Sequence, residues 1–72
     1  MIRATLQGCI DLYNSNIIMQ NTAIRGMEQL GEWETASVYW RKLNRIDDAN
    51  ACDMIVNAIK AGDKIREQNK TI

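Results

Sequence analysis

Glu28-Gln-Leu-Gly31-Glu-Trp33-Glu-Thr-Ala36-Ser-Val-Tyr39-Trp40-Arg-Lys-Leu43 decides how this 72-residue chain folds. It holds Gly31, the one strong interior helix stop, and both tryptophans. Glycine takes the left-handed backbone that ends a helix without steric cost. Beyond it, Trp33, Ala36, Trp40 and Leu43 recur at helical intervals and share one face with Tyr39. The stretch therefore predicts a helix, a tight turn and a second helix docked by its aromatic side.

Upstream, apolar residues keep a helical period from Ile2 to Leu30. At 100° per residue, Ile2, Leu6, Cys9, Ile10, Tyr13, Ile17, Ile24 and Met27 fall in an arc roughly 100° wide. Leu12, Met19, Ala23 and Leu30 widen it to nearly half the circumference, more than an amphipathic surface helix needs. The register crosses Asn14-Ser15-Asn16 without a slip, which favours one continuous helix over about 2–30. Asn16 and Gln20 would then sit in the apolar arc, where a polar residue can fix the register of a helix–helix seam. The same triplet is good capping material, and Ser15 or Asn16 could instead start a second helix.

Downstream, the second helix is expected over about 32–46. Glu32 and Glu34 lie in its first turn and Arg41, Lys42 and Arg45 in its last turns, an order that suits the helix dipole. Asp47, Asp48 and Asn50 mark a break, with Asn50 and Asp53 spaced as a capping box. A third helix over about 51–66 would turn Ala51, Met54, Ile55, Ala58, Ile59 and Ile65 inward, with Cys52 and Val56 at one edge.

The fold class is thus all-α, a single domain over 1–72 with a long N-terminal helix followed by a two-helix segment. A chain this short buries only about 60% of its unfolded surface. The spare flank of the first helix, with Leu12, Met19, Ala23, Leu30 and the rim residue Tyr39, is accordingly the expected dimer or partner interface.

Composition narrows the chemistry. Lys plus Arg equals Asp plus Glu at 9 each and there is no histidine, which argues against histidine-assisted nucleophiles and against strong global attraction to nucleic acid. The two cysteines, Cys9 and Cys52, match no metal or redox spacing. They are expected to be reduced and buried in a cytoplasmic protein, since neither a secretion signal nor a membrane-length apolar run is present. No glycine-rich phosphate loop occurs. No catalytic residue, cofactor or metal site is expected. Helix, turn and helix superficially match a DNA-binding motif, and Arg41, Lys42 and Arg45 are the candidate nucleic-acid contacts. The Glu32-Trp33-Glu34 start of the second helix would repel a phosphate backbone there.

Gly31-x-Trp33-x-x-Ala36-x-x-x-Trp40-x-x-Leu43 resembles the second half of a tetratricopeptide repeat, but no second repeat follows. Extended back to Glu28, the pattern Glu28-x-x-Gly31-x-Trp33-x-x-Ala36-x-x-x-Trp40 resembles the small PerC-like and ANR-type helical regulators of enterobacterial plasmids, prophages and pathogenicity islands. The resemblance covers 13 residues, and the arginine- and cysteine-containing ending of those families is not recognisable. It implies a short helical protein that modulates transcription, in several cases by binding another regulator. The leading expectation is a non-enzymatic interaction module, a homodimer that also binds a host protein. A dimeric DNA-binding regulator and a structural subunit of a larger assembly are the alternatives.

Overall fold

The computed structural model describes residues 5–69, with side chains up to Ile65, and every regular element in that range is helical. Four α-helices follow in order: α1 Leu6–Ser15, α2 Gln20–Gln29, α3 Trp33–Lys42 and α4 Ile46–Asn69, with a 3-10 turn at Ile17–Met19 between the first two. The expected helix start at Ile2 and the end of the tail lie outside the described residues.

The continuous first helix is replaced by a helical hairpin. Asn16 is extended (φ −145°, ψ 102°) and its side-chain oxygen accepts the Ile18 N–H at 3.1 Å. Gln20 Nε2 donates to the Tyr13 carbonyl at 3.2 Å, satisfying an acceptor at the end of α1. Asparagine competes with the helix for local hydrogen bonds, and here that competition wins because folding back buries apolar surface that a straight helix would leave wet. A Cβ built on Gly26 would come within 2.9 Å of Cys9 Sγ, so the two helices meet where one has no side chain.

The next two turns share one mechanism. Gly31 (φ 79°) and Asn44 (φ 60°) are both left-handed. At the first, Glu32 N–H bonds the Met27 carbonyl and Gly31 N–H that of Glu28; at the second, Arg45 N–H bonds the Trp40 carbonyl and Asn44 N–H that of Arg41. Both are paired 6→1 and 5→2 closures of a helix end. Asn44, the residue after glycine most tolerant of this region, therefore stops α3 four residues before the expected Ile46. That moves Asp47, Asp48 and Asn50 from a break into the first turns of α4.

Each helix packs on its chain neighbours, and α3 and α4 run antiparallel, so Ser37 meets Asp53 while Glu34 meets Lys60. The result is a slab measuring 51 × 32 × 12 Å with a radius of gyration of 14.7 Å, whereas a compact chain of this length has about 11 Å. The core is Cys9, Ile24, Met27, Ala36, Trp40, Ala49 and Cys52, with Leu6, Ile10, Tyr13 and Trp33 among those packed against it. Trp40 is its largest wholly buried side chain.

The register of α4 differs from expectation. Its buried side is Ala49 and Cys52, with Val56 half-buried, while Ala51, Met54, Ala58, Ile59 and Ile65 are exposed and Ile55 is half-buried. Small residues are what fit beneath the Trp40 indole and the close approach at Ala36 and Ser37. Met54 would not fit there.

Gly26→Ala should destabilise the chain by about 1–3 kcal/mol through overpacking against Cys9, despite the better helix propensity of alanine. Most of the loss should return in the Cys9→Ala, Gly26→Ala double variant. Urea unfolding followed by tryptophan fluorescence checks this, and a double variant no better than the single would show that the helices do not meet at Gly26.

Candidate interaction surface

Glu28, in α2, holds the centre of the molecule together. Its Oε2 accepts the Trp40 indole N–H at 3.1 Å and the Cys52 thiol at 3.1 Å, while its Oε1 pairs with Arg25 Nη1 at 3.1 Å. The guanidinium carbons of Arg25 and Arg45 lie 5.0 and 5.4 Å from the Trp40 ring centroid. Both arginines also reach Asp48, at 3.6 and 2.8 Å. Burial first, and then the Glu28 carboxylate, push the Cys52 thiol up to about 12. Both cysteines are free and buried.

A second polar contact joins α3 to α4. Ser37 Oγ lies 2.6 Å from Asp53 Oδ1 and 3.3 Å from the Ala49 carbonyl, and Arg41 pairs with the other Asp53 oxygen. The Ser37 hydroxyl and then the Arg41 guanidinium hold the Asp53 carboxyl below its ordinary range. No buried side-chain nitrogen or oxygen among the described residues lacks a partner.

The three basic candidates are therefore engaged within the chain. Arg41 serves Asp53 and Asn50, Arg45 serves Asp48, and the Lys42 ammonium lies 4.8 Å from the Tyr39 ring centroid. A phosphate would have to compete with the two aspartates for the arginines. The charges are partly exposed, so the competition is weak in energy, but the cluster is not an open basic patch.

Over the described residues 5–30, the expected partner flank is largely covered. Ala23 is buried within the chain, which takes it out of any interface. Leu12 and Met19 are half-buried. Tyr39 is half-buried too, edge-on to Tyr13 with centroids 4.6 Å apart. Leu30, 40% exposed at the end of α2, is the one residue of the set that remains open. The fold-back of α1 and the docking of α3 cover much of the surplus apolar surface that called for another molecule, but not Ile17, Ile18 or Leu30.

Exposed apolar side chains collect elsewhere. Ile17 and Ile18, at the hairpin tip, are 84% and 90% exposed, and Met54 and Ile65, on α4, 72% and 60%. Ala51, Ala58 and Ala61 lie between and beside the α4 pair and are also exposed. These residues carry the helical spacing seen in the sequence; what the spacing alone could not say is that α4 has a second apolar side, toward α3. A shallow groove of about 200 Å³ beside that side is lined by Trp33, Val56 and Ile59, with the Glu34–Lys60 pair at its edge. Among the described residues no helix is long and apolar enough to cross a membrane, and no cluster of three or more His, Cys, Asp or Glu is placed to hold a metal ion.

No protein-family model, curated protein or solved structure matches this chain.

Two outcomes test the centre. Glu28→Ala should cost about 1–3 kcal/mol, because it leaves the buried indole N–H unpaired, while Glu28→Gln, whose amide oxygen can still accept that proton, should cost less. Equal losses in thermal melts would show that the hydrogen bond is not what matters at this position. For Cys52 the ordinary value is 9.0 and the folded one about 12, so the folded chain binds the proton more tightly. Its contribution is complete below pH 9 and is lost as pH rises toward 12. The urea midpoint should therefore fall over that window more steeply for the parent than for Cys52→Ala.

Proposed function

We propose that this chain is a non-enzymatic protein–protein interaction module whose contact face is the outer side of α4. The observation that carries this reading is the exposure of Met54 and Ile65 on the side of α4 turned away from α3. Large apolar side chains aligned on one face of a helix favour burial against a partner. The Glu28-to-Trp40 resemblance supports a narrower version, an accessory regulator of a phage or mobile element that acts by binding a host protein.

The runner-up is direct DNA binding through Arg41, Lys42 and Arg45. It is less well supported because each of these side chains already has an intramolecular partner. Assembly as a structural subunit would use the same α4 face and differs only in the size of the complex formed.

The test is capture of a protein from native-host extract by the immobilised chain, at low and at moderate salt. Capture that survives the salt increase and is lost in Met54→Lys is the expected result. Binding to duplex DNA that weakens by orders of magnitude over the same salt range, with no protein captured, would overturn the reading in favour of the runner-up.

A further inference from the structure

The nature of the partner at the α4 face can be taken further, on the assumption that the binding reading above holds. Ala51, Met54, Ala58, Ala61 and Ile65 are separated alternately by three and four residues, the a/d interval of a two-helix seam. All five are exposed, and Cys52 and Val56, which lie toward α3, occupy the opposite side of the same helix. Two properties of this seam select a second copy of the chain as its occupant in the isolated protein, where no host protein competes for the face.

The first is size. With two α4 helices antiparallel and Met54 opposite the partner's Ile65, Ala58 falls opposite the partner's Ala61. Large residues then meet at both ends and alanines at the middle, where two small side chains let the backbones approach. Shifting the register by one heptad would set Asp47 against Ile65, burying a carboxylate beside an apolar residue at a cost.

The second is charge. Asp48, Asp53 and Lys60 are engaged by Arg25, Arg45, Arg41 and Glu34 on the inner side of α4, which leaves Asp47 as the charge in line with the seam. An antiparallel pair keeps the two copies of Asp47 at opposite ends and opposes the two helix dipoles. A parallel pair would instead bring Asp47, which continues the seam one turn before Ala51, beside its own copy. The zero net charge of the chain adds no repulsion between copies at long range.

We propose that two copies pair antiparallel along α4 through Met54, Ala58, Ala61 and Ile65, about a two-fold axis passing between Ala58 and Ala61. The seam from Ala51 to Ile65 is only about 21 Å long. This is the small end of specific interfaces, so the dimer should dissociate on dilution.

The experiment uses the purified full chain alone, which separates it from capture in host extract. Sedimentation equilibrium should show a reversible monomer–dimer exchange, and Ala58→Glu should abolish the dimer while leaving the melt of the dilute chain unchanged. Orientation is read by mild oxidation of a mixture of Met54→Cys and Ile65→Cys chains, with the parent as control for its buried thiols. An antiparallel seam gives the mixed disulfide. Two copies of residue 54 would be separated by about 16 Å along the axis, beyond a disulfide's Cα–Cα reach of about 7 Å. A parent that stays monomeric at its highest soluble concentration, a dimer that survives Ala58→Glu, or mainly like-with-like disulfides would each overturn the proposal. A surviving dimer would still leave a binding protein, working through another face; a monomer that also captures nothing from host extract would remove both readings.

Discussion

The hydrogen bond from the Trp40 indole to the Glu28 carboxylate is the constraint on which the remaining structure depends. A carboxylate drawn into a helix junction is costly unless its charge and lone pairs are all served. Glu28 is served from three helices: Arg25 on α2, Trp40 on α3 and Cys52 on α4. The largest core side chain can therefore occupy only one depth and one orientation. Arg25 and Arg45 cover its ring and carry their charges to Asp48, which ties the start of α4 to the same point. The turns at Gly31 and Asn44 deliver those residues to one place, and neither turn requires more than a left-handed residue after a helix end.

Serial packing of four helices around this point yields a slab rather than a closed bundle. In a closed bundle the wide apolar face of residues 6–30 and both sides of α4 would be sheltered together. Here α1 folds onto α2 and shelters most of the first, leaving Ile17, Ile18 and Leu30 exposed, while α4 is covered on its inner side only. The location of unburied apolar surface is thus a consequence of topology: α3, with Arg25 and Glu28 of α2, covers only the inner side of the last helix. Its outer side accordingly carries the proposed binding role.

The pattern that prompts comparison with PerC-like and ANR-type regulators has a physical explanation of its own. Glu28 and Trp40 are hydrogen-bonded to each other, Gly31 closes α2, and Ala36 is buried at the helix crossing. Every fixed position of the motif works inside the fold, Trp33 by packing half-buried against the core. Similarity confined to such residues carries an architecture, and the regulatory role stands as a proposal on that likeness.

The sequence by itself determined the all-helical class, the stop at Gly31, and the face of Trp33, Ala36, Trp40 and Leu43, because those depend on local propensity and on periodicity within about three turns. It did not determine whether Asn16 interrupts the first helix. An asparagine's local bonds and an unbroken apolar register are nearly balanced, and only the burial gained when α1 meets Gly26 tips them. Nor could it say which side of α4 is core, since apolar residues occupy both, nor that Arg41 and Arg45 are taken up by Asp53 and Asp48. Those outcomes need the distances between helices. Tertiary packing chose Ala49 and Cys52 because only small side chains fit beside a tryptophan already fixed by Glu28, and in doing so it left Met54 and Ile65 facing outward.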